Sequence, residues 1–307
     1  MATLKGQNFR LAFCDDTTQY IDPTLVGMST SCTVTLTNNT DDASHKDVVG
    51  MASLPEVVSN AWSVQVDSLD VTDVATLLTL IKSKKKLLVF WDETSTTDNI
   101  TGLRAAFARK GYAYINDATF TFDDRTNSVK NLQLTGASSL SALSDGDVVL
   151  APTNTSTFTK GQFVRLFLSS DNTTAPAKVI AAAKSLSLHV SVQLEDATTK
   201  DTEGTFQVQE PVGISYDISS NALVRSGETI TSAVQAQGLA DLETIYEAGT
   251  PVKWKIANVS GANNRTAGSV IVSGSCVLTQ LQITAQNRQS ASYQATLNGY
   301  GDYTVGS

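Results

Sequence analysis

Residues 42–47 read Asp42-Ala43-Ser44-His45-Lys46-Asp47, and residues 196–201 read Asp196-Ala197-Thr198-Thr199-Lys200-Asp201. The second stretch repeats the first after 154 positions. Upstream, Lys5-Gly6-Gln7 with Arg10-Leu11 returns as Lys160-Gly161-Gln162 with Arg165-Leu166, after 155. Downstream the spacing drifts. Trp62, Val64 and Val66 answer to Ile214, Tyr216 and Ile218 at 152, and Leu77 and Leu80 to Leu242 and Ile245 at 165. Arg125, Leu134 and Gly136 then answer to Arg288, Leu297 and Gly299 at 163. Five anchors in one order point to a unit carried twice, and such self-similarity decides the architecture before any single element does.

The chain of 307 residues is long enough for two domains, each able to bury a core without disulfides or metal. The repeat divides it into a first copy at residues 1–142, a linker at 143–159 rich in Ser, Asp, Pro and Thr, and a second copy at 160–307. Charge divides with it. Residues 1–142 carry 12 basic and 16 acidic side chains and the remainder 10 and 14, so each part has a net charge of -4.

Within each copy, alternation of apolar and polar residues marks strands with one solvated face: Ser31 to Thr37, Trp62 to Leu69, Thr119 to Asp123 and Asn131 to Thr135. The second copy repeats them at Ser187 to Leu194, Ile214 to Ile218, Gln280 to Thr284 and Tyr293 to Leu297. Val74, Leu77, Leu78 and Ile81 fall at helical spacing, as do Leu239, Leu242, Ile245 and Tyr246, and each helix leads to a strand, Leu87 to Trp91 or Val252 to Ile256. The expected fold is mainly β: two tandem antiparallel β-sandwich domains, each with one short flanking α-helix.

Several functions are poorly supported. A net charge of -8 argues against gripping nucleic acid through phosphates. Cys14, Cys32 and Cys276 have no CxxC spacing, so neither a disulfide framework nor a zinc site is indicated. His45 and His189 stand apart from any nucleophile or metal motif, so no enzyme activity, metal or cofactor is expected. The one basic run, Lys82 to Lys86, follows the first helix, where cations complement its C-terminal dipole. The start of the chain lacks an export pattern and no stretch approaches a membrane span, so an intracellular protein without a membrane partner is expected.

The strand ending in the polar loop Thr40 to Asp47, the Trp-Ser-Val-Gln-Val strand at Trp62 to Val66, and the closing strand pair that ends on Gly299-Tyr300-Gly301 resemble the major tail tube proteins of long-tailed bacteriophages. That family is related in fold to the inner tubes of contractile injection systems. The resemblance covers nearly the whole chain twice, whereas most tube subunits have one domain and form hexameric rings. It implies a structural virion protein, assembled in the bacterial cytoplasm, whose two-domain chains form trimeric, pseudo-hexameric rings. The rings would stack around a channel for DNA and tape-measure protein and meet baseplate and terminator proteins. The rival expectations are another ring of the same tail, such as a baseplate hub, distal tail or terminator protein, and a surface β-sandwich adhesin.

The resemblance also gives meaning to two residue sets. The polar strand faces supply lumen-facing candidates Thr33, Thr35, Ser63, Gln65, Asp67, Thr121, Asp123 and Gln133, with His189, Ser191, Asp217, Gln282, Gln294 and Thr296 from the second copy; no Lys or Arg is among them. The polar excursions Asn38 to Asn60 and Glu195 to Gly213 are long for hairpin loops. They supply candidates for contacts between subunits or rings: Asp42, Lys46, Asp47, Val48, Val49, Met51 and Leu54, then Lys200, Asp201, Phe206 and Val208.

Overall fold

The computed structural model describes residues 6, 9–14, 24–25, 29–44, 53–69, 71, 73–93, 108–143, 159–201, 206–224, 236–260 and 266–306. The chain is mainly β. Its first half runs β1 (Phe9–Cys14), β2 (Thr24–Leu25), β3 (Ser29–Asp42), β4 (Pro55–Ser68), α1 (Val74–Lys82), β5 (Leu87–Glu93), β6 (Arg109–Asp123), β7 (Val129–Gly136) and β8 (Ser141–Ala142). The second half opens with a 3-10 turn at Gly161–Phe163 and continues β9 (Val164–Leu168), β10 (Lys178–Ile180), β11 (Ala183–Asp196), β12 (Gln209–Leu223) and β13 (Ala236–Gln237). After these come α2 (Leu239–Ala248), β14 (Val252–Ser260), β15 (Thr266–Thr284), β16 (Ser292–Gly299) and β17 (Thr304–Val305). All but two residues of the linker, Leu143 and Thr159, lie outside the described residues.

The two halves share one pairing scheme. In the first, β3–β4–β7–β6 form one antiparallel sheet, and β2–β1–β5 join the N-terminal part of β6, with β8 beyond it, in another. In the second, β11–β12–β16–β15 and β10–β9–β14–β15–β17 repeat both orders. The long strands β6 and β15 therefore belong to two sheets each. Irregularities coincide too: the shift between Ile115 and Asp117 in β6 matches that between Leu278 and Gln280 in β15. Arg125 and Arg288 both have left-handed backbone, at φ 63° and 62°, as do Lys84 and Gly249.

These pairings correct one register read from spacing. Trp62 corresponds to Tyr216, at 154, and not to Ile214 at 152, because β4 and β12 meet β7 and β16 at matching positions. A two-residue slip keeps every side chain on its own face, so alternation alone does not detect it. The long polar excursions also prove in part to be strand. Pairing continues from Asn38↔Asn60 to Asp42↔Pro55 and from Gln193↔Gly213 to Asp196↔Gln209.

The core lies between the sheets. Val64, Val66, Phe120, Leu132 and Leu134 meet Leu11, Phe13, Leu87, Val89 and Trp91, with Leu77, Leu78 and Ile81 of α1 in the same cluster. Trp62 reaches across to Trp91, ring centres 5.9 Å apart, and its indole N–H donates to the Ser138 carbonyl at 2.7 Å. Tyr216 does the same in the second half: its ring lies 5.6 Å from that of Trp254 and its hydroxyl donates to the Ser275 carbonyl at 2.6 Å. Each ring covers a glycine. A Cβ at Gly136 would stand 2.4 Å from the Trp62 indole, and one at Gly299 would stand 2.6 Å from the Tyr216 ring.

Replacing Gly136 or Gly299 by Ala should therefore overpack the site and destabilise the chain by about 1–3 kcal/mol, with urea unfolding as the measurement. Combining Gly136→Ala with Trp62→Leu should recover part of the loss made by Gly136→Ala alone. Unchanged midpoints in the single variants would mean that the rings do not seal these strands.

Candidate functional site

The two halves meet through backbone. β6 pairs antiparallel with β11, from Asp117↔Ser191 through Thr119↔His189 to Asp123↔Ser185. The result is one sheet of eight strands in the order β3–β4–β7–β6–β11–β12–β16–β15. One face of it is packed on the core. The other carries the polar residues singled out above: Thr33, Thr35, Ser63, Gln65, Asp67, Gln133, Thr121 and Asp123, then Ser191, His189, Asp217, Thr296, Gln294 and Gln282. Their strand partners alternate with buried neighbours such as Val64, Leu132, Phe120, Leu188 and Ile218. Lys130 of β7 points the other way. It is buried, and its ammonium meets both carboxylate oxygens of Asp73 at 2.6 and 2.7 Å.

The polar face is hydrogen-bonded within itself. Ser31 Oγ donates to Asp67 Oδ2 at 2.5 Å, and Asn131 donates to the other oxygen of that carboxylate. Across the joint, His189 Nε2 lies 2.7 Å from Asp117 Oδ2 and Nδ1 lies 2.7 Å from Asp217 Oδ1. Both carboxylates accept only when both ring nitrogens carry protons, so the pair of bonds is complete in the imidazolium. Partial burial of the ring opposes that charge, but the hydrogen bonds and charges of Asp117 and Asp217 prevail, and the imidazole pKa is raised. Among the described residues, no group of His, Cys, Asp and Glu is arranged to hold a metal ion.

The hairpin arms beyond the sheet close in the same way in both halves. Asp42 accepts from the Ser44 N–H, at 2.9 Å, and from its hydroxyl, while Ser44 Oγ accepts from the Leu54 N–H at 2.9 Å. Asp196, Thr198 and Val208 repeat this, with 2.9 Å for both backbone donors. The Ser44 and Thr198 donors lower the pKa of Asp42 and Asp196. These bonds explain the repeated Asp-Ala-Ser/Thr of the sequence. Of the remaining assembly candidates, Lys46, Asp47, Val48, Val49 and Met51 lie outside the described residues, as does His45. Lys200 and Asp201 are exposed at the second turn. Phe206 instead bridges to Asn60 of the first half, where the Gln207 N–H donates to the Asn60 carbonyl at 3.2 Å.

What spacing did not reveal is the seam beside the joint. Lys82 Nζ donates to the Tyr303 carbonyl at 2.6 Å, Lys84 Nζ to the Val212 carbonyl at 3.1 Å, and the Tyr303 hydroxyl to the Leu78 carbonyl at 2.8 Å. The basic run thus fastens α1 to the second half.

No family model and no curated protein matches the chain. Solved structures do. A chain from the tail of an empty gene transfer agent particle, refined helically with C6 symmetry, is 15% identical, with a TM-score of 0.37 over 48% of this chain and 98% of that one. A chain of the native gene transfer agent virion is 14% identical with a TM-score of 0.34, covering 48% and 98%. The SPP1 tail tube is 13% identical with a TM-score of 0.36, covering 48% and 78%.

A raised imidazole pKa stabilises the folded chain fully below the ordinary imidazole value, and that stability is lost as pH rises through the raised one. The wild-type Tm should accordingly fall between about pH 6 and about pH 9 by more than that of His189→Thr. Equal falls in the two proteins would show that the contacts to Asp117 and Asp217 do not depend on the charge.

Proposed function

We propose that this chain is the tail tube subunit of a phage or phage-like particle, a structural protein made of two tandem copies of one sandwich. Three chains would supply six similar domains in a ring, and rings would stack around a channel. The observation that carries this reading is the β6–β11 ladder. It joins the halves edge to edge with the polar faces on one side, and it leaves β3 and β15 at the ends of the eight-stranded sheet. Among the described residues, β3 pairs only with β4, and the Gln280 to Thr284 part of β15 only with β16. These are the counterparts of the two strands already joined. Repeating the joint around an axis closes the sheet, a head-to-tail arrangement that needs no second kind of contact.

The polar face would then line the channel. Its ionised groups include Asp67, Asp117, Asp123 and Asp217, with His189 between two of them; Lys130, next to Asn131 in β7, is held in the core by Asp73, and the exposed cations Arg125 and Lys184 lie at the end of the face beside Asp123. Such a wall leaves DNA its counterions, whereas Lys or Arg would exchange with them and hold the polymer. DNA and a tape-measure protein would pass without specific binding. Baseplate and terminator proteins would meet the ends, and the particle's tail would be its location after assembly in the bacterial cytoplasm.

The mass of isolated rings decides the stoichiometry: three chains are expected, and six full-length chains would contradict the pseudo-hexamer. Negative-stain images of the purified protein should show filaments, since stacking does not close. Single rings that never lengthen would favour another ring component of a tail. Replacing Gln65, Thr121 and Gln133 by Lys should leave tubes intact and slow genome ejection, with the slowing relieved by added salt. Normal ejection at every salt concentration would remove these residues from the channel wall.

A further inference from the structure

The internal joint is a template for a second contact, and the residues at the unjoined ends are built for it. The pairings superpose β15 on β6 at a displacement of 163 and β3 on β11 at 154. Carrying β6–β11 over by those displacements sets Gln282 opposite Thr35, where the internal joint has Thr119 opposite His189. We infer that a second copy of this chain lays its β3 antiparallel on β15 in that register, with its Gly6 seated on the end of β15. The inference rests on the ring reading above and specifies its contact.

Two independent observations support the contact. The first is apolar exposure. On the core face of the internal joint, Phe120 of β6 and Val190 of β11 are buried at 0% and 1%. Their counterparts, Ile283 of β15 and Leu36 of β3, stand 50% and 67% exposed at the two unjoined edges. Each has the side chain of a buried strand and lacks the neighbouring strand. The same holds above the sheet. Ile81 of α1 is 3% exposed at the seam, lining a small cavity with Pro211, whereas Tyr246 of α2 is 50% exposed and Val57 of β4, the counterpart of Pro211, is 44% exposed. Tyr246 and Val57 would meet across the new joint.

The second observation is a glycine. Gly161, in the repeated Lys-Gly-Gln, lies so close to the end of β6 that a Cβ on it would stand 2.3 Å from the Asp123 carbonyl oxygen, and its N–H donates to the Thr126 carbonyl at 3.1 Å. Gly6 occupies the same place in the first Lys-Gly-Gln, and a Cβ on it would meet nothing within 4 Å. Among the described residues Gly6 has no neighbour that requires a glycine. A second copy supplies one, because Asp123 carried over by 163 is Gln286, just beyond β15.

The two joints then differ in chemistry. Asp117, His189 and Asp217 correspond to Gln280, Thr35 and Ser63, so the contact between copies is uncharged where the internal one carries a doubly bonded imidazolium.

The test uses the full chain. Gly6→Val should leave the Tm of the isolated chain unchanged, since the added methyls meet open space, and should abolish rings; rings in normal yield would overturn the seat proposed for Gly6. Thr35→Cys with Gln282→Cys, in a Cys32→Ala background that still forms rings, should give under mild oxidation a ladder that ends at three chains on a denaturing gel. Neither single cysteine should do so. Rings without that ladder, but with one from Thr37→Cys and Gln282→Cys, would overturn the register while leaving the ring reading intact. A chain that stays monomeric at every concentration, with all its wild-type residues, would sink both.

Discussion

One antiparallel ladder, between Asp117–Asp123 and Ser185–Ser191, turns two sandwiches into a single sheet. Strand edges ordinarily carry unpaired N–H and C=O groups, and each such group withheld from water without a partner costs free energy. Here the edges of the two halves satisfy one another. The core becomes continuous as a result: Phe120 and Phe122 of β6 belong to one apolar cluster with Leu186, Leu188 and Val190 of β11. Removing Phe120 would leave a cavity on both sides of the joint, a loss of about 3–5 kcal/mol for a fully buried Phe. The polar face becomes continuous as well, because antiparallel pairing in this register sets polar side chains beside polar ones.

Equivalent places in the two halves are filled by different chemistry while the backbone stays the same. Trp62 and Tyr216 both bridge the sheets and seal a glycine, yet one donates through an indole nitrogen and the other through a hydroxyl. Lys130 is buried and neutralised by Asp73, and its counterpart in β16, Tyr293, is buried with its hydroxyl donating to the Ala181 carbonyl at 3.3 Å. A buried cation demands a partner with both oxygens placed, so Lys130 and Asp73 constrain each other and leave no room for independent change. The Tyr solution needs one acceptor. The scaffold thus sets which positions must be filled and paired, and leaves the means open.

Much of this was legible in the order of residues. Alternation identified the polar face, because period two ties every second residue of a strand to one side. Helical spacing located α1 and α2. The register between the halves was not legible, since a shift of two preserves faces, and neither was the extent of β3 and β11, whose ends are polar on both faces and read as loop. Lys130 precedes the alternating stretch read from Asn131 to Thr135, and only the carboxylate of Asp73, 57 residues away, shows why a cation is inside. Burial pushes the thiols of Cys276 and Cys32 up, to about 12 and about 11. The joint itself left no mark beyond the repeat, because a backbone ladder is indifferent to which side chains it carries.

The unjoined edges bear on why such a sheet exists at all. Monomeric β-proteins blunt their edges with Lys, Pro, bulges or short strands to avoid pairing with strangers. β3 is 14 residues long and has no Lys, Arg or Pro, and its only charges, Asp41 and Asp42, stand at the far tip of the hairpin. Its core-facing residues run Cys32, Val34, Leu36, which is the pattern of a strand with neighbours on both sides. At the other end, β15 offers Leu281 and Ile283 beside Gln280, Gln282 and Thr284, again without charge. An edge of that kind is a hazard in a protein meant to stay alone, and a requirement in one whose sheet is completed by its own copies. Charges stand instead at the seam and the joint, where Lys82 and Lys84 reach the second half and Asp117 holds His189 across the ladder.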